Sequence, residues 1–465
     1  MGCKVTLGDV CSFFRGASIP RARMHNTGDY LYIHYGDLYK GFDLRIDVND
    51  PAKPLPYILA NEKIKESQRL KDQDIIYVLT SETVDDLGHA YLFNNPKNQP
   101  AVSGTETTIV RVKRRDLIIP AYLNYLMSSP RFIGELRQYT RGMKVFRVHP
   151  SDVSRIEVHL PSIEAQQQVV TVLDAIYSKQ QANAKLNGYL EELFDSYFKQ
   201  SLNMVDETWD TASLLDIADY KNGLAMQKFR PNIGDKGLPV LKIRELGQES
   251  CGKDAERCRS DIDESVTVHD GDLVFSWSGT LLLRFWAGGD AGLNQHLFKV
   301  TSGVYPSWFY YAWTKHHLAR FTMLAKDRAT TMGHIKRSAL EESEVLLPPK
   351  EKLAMQTKCM QPIIDQVIAN KIEIRKLAAL RDILLPKLMS GEIDVSKIDL
   401  TQLNSHLAER IQVINQGAIE SNLSPNLANR PFAGEPFVCC SKSVFGSIEL
   451  RSIPFFSQFF NSLVT

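Results

Sequence analysis

Two groups of basic side chains stand at matching places in this sequence and could bind the phosphates of a nucleic acid. Cations on phosphates supply affinity, whereas donors and acceptors at base edges supply specificity. The first group precedes residue 160 and comprises Arg137, Arg141, Lys144 and Arg147. The second group precedes residue 347 and comprises Lys326, Arg328, His334, Lys336 and Arg337.

The two groups share one register. An offset of 187 residues places Arg141 on Arg328 and Val148 on Ile335, so RGMKVFRV and RATTMGHI are expected to be equivalent loops that each lead into a strand. Hydroxyl groups can bond phosphates or bases and a thioether can contact a thymine methyl group. The second loop therefore offers Thr330, Thr331 and Met332 as candidate contacts to phosphates and bases. A position in a solvated turn is the alternative for each of these residues.

Further basic residues lie early in each half of the chain and are expected to position DNA rather than to read it. In the first half they are Arg15, Arg21 and Arg23. In the second half they are Lys221, Lys228, Arg230, Lys242 and Arg244. Gly16 and Gly223 follow comparable openings, and a flexible turn there would let the backbone approach a phosphate.

The phrase SWSGT (276–280) closes a predicted strand and offers the hydroxyl groups of Ser276 and Ser278 as DNA contacts. Phe275 alternates with Trp277, and we expect Phe275 to face the core. The motif GLNQHLFKV (292–300) contains three side chains that could bond the edges of purine bases, namely Asn294, Gln295 and His296. In a strand, however, such side chains are more often buried with their hydrogen bonds satisfied inside the protein.

Motifs for catalysis are missing from the sequence. An adenine methyltransferase needs an Asn/Asp-Pro-Pro-aromatic tetrad, whereas LLPPKE (346–351) places Leu before the prolines. GQESCGKD (247–254) imitates a phosphate-binding loop, but Asp254 stands where Ser or Thr must hold magnesium. The cysteines lack the paired spacing of a zinc site. We therefore predict no catalytic residue and no metal ligand.

Composition bounds the class of protein. The 465 residues carry a formal net charge of +1, which neither requires nor excludes a nucleic acid partner. No signal peptide is visible and no apolar run is long enough to span a membrane. Seven irregularly spaced cysteines fit a reduced, cytoplasmic chain.

Two long helices must position these segments. LPSIEAQQQV (160–169) and LPPKEKLAMQ (347–356) each open a stretch whose apolar residues recur at alternating steps of three and four, as in a coiled-coil seam. An Asn in such a seam can set the register. The predicted seam residues are Leu173, Ile176, Asn183, Leu190, Ile363, Val367, Asn370, Ile374, Leu377 and Leu384. Two unrelated amphipathic helices are the alternative.

The ends of both helices are also marked. Ser162 is expected to cap the first helix, prolines precede the second, and Gly391 suits the end of the second. Nearly forty residues would span roughly 55–60 Å.

The segments before the helices mix short β-rich runs with one helical stretch each, after Pro120 and after Pro306. The expected fold is thus α+β: two globular mixed α/β domains, separated by two long helices that form an antiparallel coiled coil with a pseudo-two-fold arrangement. The expected boundaries are 1–159, 160–205, 206–346, 347–394 and a C-terminal extension, 395–465, of unknown role.

Several phrases resemble the specificity subunit of type I restriction–modification enzymes. LPPKEKLAMQ with RDILLPKLMSGEI (381–393) resembles the distal conserved region of that family, and residues 160–198 resemble its central conserved region. SWSGT, GLNQHLFKV and TTMGHI resemble recurrent phrases of its target recognition domains.

The resemblance implies a non-catalytic subunit whose two target recognition domains each read half of an asymmetric, split double-stranded DNA target. It also implies docking of two methyltransferase subunits on the helices and recruitment of restriction (translocase–nuclease) subunits. S-adenosylmethionine, ATP and magnesium would belong to those partners, and none would be bound by this chain. A coiled-coil adaptor that binds only protein is the alternative, and it would need no basic clusters at matched places.

Overall fold

The computed structural model describes residues 2–38, 42–50, 53–84, 86–327 and 334–395. Their chain contacts divide them into two compact units: residues 2–176 with 380–395, and residues 177–379. Some of the predicted DNA contacts lie outside the described residues, namely Arg328, Thr330, Thr331 and Met332. The same holds for residues 396–465, and therefore for nearly all of the C-terminal extension.

The first unit contains five short helices and twelve strands before its share of the long helices. The helices are α1 (Leu7–Val10), α2 (Tyr35–Leu38), α3 (Pro120–Met127), α4 (Pro130–Arg137) and α5 (Pro150–Arg155). The strands are β1 (Cys3–Thr6), β2 (Cys11–Arg15), β3 (Tyr30–Ile33), β4 (Arg45–Asp47), β5 (Tyr57–Ile58), β6 (Ile75–Val78), β7 (Thr80–Ser81), β8 (His89–Asn94), β9 (Ala101–Ser103), β10 (Thr107–Val112), β11 (Phe146–Arg147) and β12 (Glu157–Leu160).

A five-stranded sheet of order β2-β10-β6-β8-β4 forms the centre of this unit, and a three-stranded sheet of order β5-β3-β9 accompanies it. Buried side chains of both sheets, among them Ile33, Ile76 and Phe93, make one apolar cluster. The β-branched and aromatic content of β6 and β10 suits strands that are buried on both faces.

The first long helix, α6 (Ile163–Leu202), leads into the second unit. The shorter helices that follow it are α7 (Leu214–Ile217), α8 (Ile243–Gln248), α9 (Ser307–Asp327) and α10 (Arg337–Glu341). The strands of this unit are β13 (Asp210–Ser213), β14 (Asp219–Asn222), β15 (Leu238–Leu241), β16 (Arg257–Cys258), β17 (Thr267–Val268), β18 (Leu273–Ser276), β19 (Leu283–Phe285), β20 (Ala291–Leu293), β21 (Leu297–Thr301) and β22 (Glu344–Leu347). The second long helix is α11 (Lys350–Ser390).

The second unit has two four-stranded sheets, ordered β14-β21-β18-β19 and β16-β15-β20-β17. Helices α3 and α9 begin at Pro120 and directly after Pro306, as the sequence pattern predicts. The predicted β-rich runs also form strands, and together these elements confirm the mixed α/β character of both globular domains.

The two globular domains open in the same way. Strand β1 pairs antiparallel with β12, and β13 pairs antiparallel with β22. The turn that follows is closed by a carboxylate in both units: Asp9 accepts from the backbone N of Thr6 at 2.9 Å, and Asp216 accepts from that of Ser213 at 2.7 Å. These matching contacts show an internal structural repeat.

The long helices begin and end close to the predicted signals. They contain 40 and 41 residues, which corresponds to about 60 Å each. The hydroxyl of Ser162 accepts from the backbone N of Ala165 at 3.3 Å, as an N-cap residue does. Gly391, with a φ of +76°, ends the second helix.

Within the second unit the helices run antiparallel. Gln180 Nε2 donates to the carbonyl of Ile374 at 3.2 Å, whereas Asn370 Nδ2 donates to Asn187 Oδ1 at 2.8 Å. Rising residue numbers in α6 thus meet falling numbers in α11. Asn183 donates to Glu373 at 2.7 Å, and Glu373 also pairs with Lys179 at 3.2 Å.

The predicted seam residues are buried except Ile374, which is half-buried. The buried side chains of this seam are not all apolar, because Asn183, Asn187 and Asn370 have exposed fractions of 6% or less. A buried amide without a partner is costly, so the hydrogen bonds between the helices favour one register.

No helix among the described residues is long and apolar enough to cross a membrane.

Candidate nucleic-acid interface

Gly16 and Gly223 lie at equivalent points of the two units, where the backbone passes very close to a neighbouring segment. We call each of these points a backbone crossing. The backbone N of Gly16 donates to the carbonyl of Thr107 at 3.0 Å, and that of Gly223 donates to the carbonyl of Leu297 at 3.0 Å. A Cβ on Gly16 would lie 1.9 Å from the Gly104 carbonyl oxygen, and one on Gly223 would lie 2.3 Å from the corresponding oxygen of Asn294.

This finding corrects the predicted role of the two glycines. Neither glycine has a positive φ, and both face a neighbouring segment of their own domain rather than an open surface. Glycine is required because the backbones approach too closely for a side chain.

Strand pairing matches further positions around these crossings. Arg15 of β2 lies opposite Thr108 of β10, and Asn222 of β14 lies opposite Phe298 of β21. Since Gly16 and Gly223 follow directly, Arg15 and Asn222 occupy equivalent positions at the same edge of their sheets.

The strand ends that follow β6 and β18 also match. The backbone N of Val148 donates to the carbonyl of Leu79 at 2.9 Å, and the backbone N of Ile335 donates to that of Trp277 at 3.0 Å. The register that the 187-residue offset predicts for Val148 and Ile335 is therefore present in the structure.

The residues directly before Val148 and Ile335 are also equivalent, and their side chains are charged or polar. Arg147 pairs with Thr80 in the β11–β7 ladder, and His334 pairs with Ser278 through a β-bridge. Both domains thus bring a late segment of the domain against the end of the same central strand.

In the first domain this edge carries five polar side chains, which we call the first surface: Arg15, Thr80, Glu106, Arg147 and His149. Arg147 Nη2 lies 3.6 Å from Glu106 Oε1, and Arg15 Nη2 lies 3.3 Å from His149 Nε2. His149 Nδ1 lies 2.7 Å from the hydroxyl of Ser151. The first surface therefore carries two guanidinium groups and one carboxylate.

The loop beside the first surface presents an unusual tip. Arg141 and Arg147 exchange backbone hydrogen bonds of 2.8 and 2.9 Å, and Gly142 has a φ of +112° between them. The Arg141 guanidinium donates to the buried carboxylate of Asp152 at 3.0 Å. Met143 is 94% exposed, and Lys144 next to it is exposed without an ion pair among the described residues.

In the second domain the same edge carries Asn222, Trp277, Ser278, His296 and His334, which we call the second surface. Trp277 Nε1 donates to Asn222 Oδ1 at 3.0 Å, and the hydroxyl of Ser278 lies 3.0 Å from His296 Nδ1. The rings of His296 and His334 lie 5.9 and 6.1 Å from that of Trp277. This surface therefore carries three aromatic rings and one amide.

The serines of SWSGT do not lie where the sequence pattern predicts. Ser276 is fully buried and its hydroxyl donates to the carbonyl of Thr280 at 2.5 Å, so no part of it is exposed to DNA. Ser278 is 4% exposed and orients His296 instead. Both serines shape the turn at Gly279, whose φ is +62°. Phe275 faces the core, as expected.

Some predicted basic contacts are already paired with acids. Lys242 lies 2.6 Å from Glu256, and Arg23 lies 3.2 Å from Glu62. The side-chain hydrogen bonds with Glu245 and Asp254 raise the pKa of Arg244. Other predicted residues are exposed and form no ion pair within the described part of the chain: Arg21, Lys144, Lys221, Lys228, Arg230 and Lys336.

The sequence pattern missed several members of these surfaces: Thr80, Glu106, His149, Asn222 and Trp277. A signal for Glu106 exists, because the turns GTET (104–107) and NQHL (294–297) occupy the same place. Their offset is 190 residues rather than 187, since the connections differ in length, and a search at one fixed offset overlooks it.

Comparisons with known proteins agree with this layout. The sequence pattern of the type I restriction modification DNA specificity domain matches residues 3–192 and again residues 206–382. The HindI specificity subunit of a type I restriction enzyme from Haemophilus influenzae is 33% identical, over 78% of this chain and 94% of the relative. The MjaIX specificity subunit from Methanocaldococcus jannaschii is 23% identical, over 61% of this chain and 71% of the relative.

A solved structure resembles the fold as well. The type I restriction–modification S subunit from M. genitalium matches with a TM-score of 0.51 at 13% identity, over 83% of this chain and 96% of that protein. With a family domain matched twice and a relative aligned over most of its length, the chain belongs to the specificity subunits of type I restriction–modification systems.

Proposed function

We propose that this chain reads an asymmetric, bipartite DNA target, with residues 1–159 contacting one half and residues 206–346 contacting the other. The observation that carries the proposal is the pair of surfaces: the same backbone frame presents Arg15, Glu106 and Arg147 in one domain but Asn222 and His334 among others in the second. Equivalent placement with different donors and acceptors suits two half-sites of different sequence.

The affinity of such a complex would come from the exposed basic residues around each surface. Lys144, Lys221 and Lys336 are exposed and form no ion pair among the described residues, so they can contact phosphates. Arg141 instead holds the tip of its loop through Asp152.

In this proposal the chain performs no chemistry itself. Two methyltransferase subunits dock on the long helices (160–205 and 347–394) and supply S-adenosylmethionine, and restriction subunits supply the chemistry that uses ATP and magnesium. The chain contributes the choice of DNA sequence, which arises from the two surfaces.

The test is co-expression with the neighbouring methyltransferase subunit in a host that lacks adenine methylation, followed by sequencing of N6-methyladenine in the host DNA. We expect one split, asymmetric motif with a fixed spacer. Exchange of residues 206–346 for the equivalent segment of another family member should change one half of the motif and leave the other half intact.

Two results would contradict the proposal. One is an absence of methylation by a complex that is shown to be assembled and loaded with cofactor. The other is a motif in which both halves change when residues 206–346 are exchanged. A variant that ends at residue 394 tests the extension separately: unchanged assembly with the methyltransferase would exclude a docking role for residues 395–465.

A further inference from the structure

One ion pair on the first surface does not fit a role in phosphate binding. Glu106 Oε1 lies 3.6 Å from Arg147 Nη2, and the side chains are 39% and 61% exposed. The surrounding residues Arg15 and Lys144 are cationic and exposed. A carboxylate at this place repels phosphate, so it weakens non-specific binding and needs another purpose.

The backbone fixes both members of the pair. Arg147 exchanges two hydrogen bonds with Arg141, and the next backbone N, of Val148, donates to the carbonyl of Leu79 at 2.9 Å. The turn that carries Glu106 is tied to the buried Tyr32, whose hydroxyl accepts from the backbone N of Thr105 at 3.0 Å. Since the backbone is already fixed at both places, only the two side chains have to be ordered when they bind a ligand.

Glu106 also adopts a backbone conformation that is unfavourable for its residue type. Its φ of +58° lies in the left-handed region, which costs a non-glycine residue on the order of 1 kcal/mol. Strain of this kind persists where the surroundings enforce it and is concentrated at functional sites. The conformation places a carboxylate, and not a glycine, at the edge of the sheet beside Arg147.

The pair has the donor and acceptor pattern that complements one kind of base pair. In the major groove, guanine presents the acceptors N7 and O6, and its partner cytosine presents the N4 amino donor. A guanidinium can donate to both guanine acceptors, and a carboxylate beside it can accept from the cytosine amino group. An A·T pair presents adenine N7, a donor at N6 and an acceptor at O4, and this order opposes a guanidinium followed by a carboxylate.

We propose that Arg147 and Glu106 together read one G·C base pair in the half-site contacted by residues 1–159. The assignment rests on the proposed function and deepens it by naming the base pair. The second surface has His334 and His296 in the corresponding places, so the requirement is confined to the first half-site.

The experiment uses the complete complex and reads the N6-methyladenine motif for the wild type and for Glu106→Gln and Arg147→Gln. The half read by residues 1–159 is the half that survives exchange of residues 206–346. Glu157→Gln is the matched control, because it removes the same charge from an exposed ion pair with Lys4 at 2.6 Å on the same domain.

We expect an obligatory G·C pair at one position of that half in the wild-type motif. Both site variants should accept A·T at this position, with discrimination reduced roughly 5- to 150-fold, while the other positions stay unchanged. The control should keep the wild-type motif. Arg147→Lys keeps the charge but loses the two-donor fork, so it should relax the same position; it and Arg147→Gln decide the matter if Glu106→Gln does not assemble.

The outcomes separate the two proposals. A wild-type complex without any bipartite motif overturns the proposed function and this assignment with it. A wild-type motif that persists unchanged in the assembled variants, or that has no G·C pair in the half read by residues 1–159, overturns the assignment alone and leaves the bipartite function in place.

Discussion

The two surfaces differ in chemistry although their backbones match. The first presents two guanidinium groups, a carboxylate and one imidazole, whereas the second presents an indole, an amide and two imidazoles. Both are built at the same edge, by a glycine crossing and by a late segment that bonds the end of the central strand. The frame is fixed by main-chain hydrogen bonds, which do not depend on side-chain identity, and the exposed side chains are free to differ.

The buried positions beneath the surfaces differ less than the exposed ones. Tyr77 of β6 and Phe275 of β18 lie opposite Thr108 and Phe298, and both are fully buried. They differ by one hydroxyl group, which in Tyr77 has no hydrogen-bond partner among the described residues. Close packing restricts what these positions accept, whereas solvent does not restrict the surfaces above them.

Substitution of the crossing glycines should break the shared frame in both domains. Gly16→Ala and Gly223→Ala place a Cβ against a carbonyl oxygen, and each should destabilise its domain by about 3 kcal/mol or more. Hydrogen exchange of the β10 and β21 amides measures each domain separately. Gly134→Ala on α4, which meets no atom within 4 Å, is the control and should stabilise by up to about 1 kcal/mol. If alanine at Gly16 or at Gly223 left the stability of its domain unchanged, the two backbone crossings would not be equivalent.

Exchange of the buried aromatic residues should have opposite effects on the stability of the two domains. Phe275→Tyr would bury a hydroxyl at a position that is packed for an apolar ring. It should destabilise the second domain by about 1–3 kcal/mol. Tyr77→Phe should be neutral or stabilise the first domain by up to about 1 kcal/mol, because the hydroxyl it removes is unsatisfied.

Tyr32→Phe is the control for the aromatic exchange. The Tyr32 hydroxyl donates to the carbonyl of Ala17 at 2.7 Å and accepts from the backbone N of Thr105 at 3.0 Å, so its loss leaves buried groups unpaired and should destabilise by about 1–3 kcal/mol. Denaturant unfolding of the variants measures these differences. A stabilising effect of Phe275→Tyr would mean that the two cores are not equivalent.

Removal of single exposed cations should affect both surfaces alike. Lys144→Ala and Lys221→Ala should weaken DNA binding several-fold regardless of sequence, and each should reduce the slope of log K against log salt by about 0.9. Lys113→Ala removes the same charge from the first domain, where its ammonium donates to the Gly8 carbonyl at 2.7 Å, and should leave the slope unchanged. A loss confined to one DNA sequence would instead assign the lysine to base reading.

The smallest effect on stability should come from the carboxylate that closes the first turn of each domain. Hydrogen bonds from Thr6 and from Ser213 lower the pKa of Asp9 and of Asp216 below the usual 3.8. Their contribution to stability is therefore present above pH 3.8 and is lost as the pH falls through the lowered pKa of the folded state. The difference in unfolding midpoint between the wild type and Asp9→Asn, or Asp216→Asn, should disappear at low pH. A difference that persists at low pH would exclude this linkage.

Local patterns predicted the parts of the structure that depend on local rules. Helix periodicity and capping signals located α6 and α11, and alternation placed Phe275 inside. The burial of Ser276 could not be predicted, because it depends on where the strand turns and on which carbonyls the turn leaves for the hydroxyl. The demand for Gly16 likewise comes from Gly104, which lies far away in the chain.

The duplicated plan, the two long helices and the clusters of basic residues can be recognised in the amino-acid sequence, because periodicity and composition act over short stretches of chain. The common surface of Arg15, Glu106 and Arg147 exists only in the folded domain. They come from three separate segments, and the hydrogen-bond register between those segments fixes their distances. A register of this kind is a property of strand pairing over long range, where connections of unequal length conceal the equivalence.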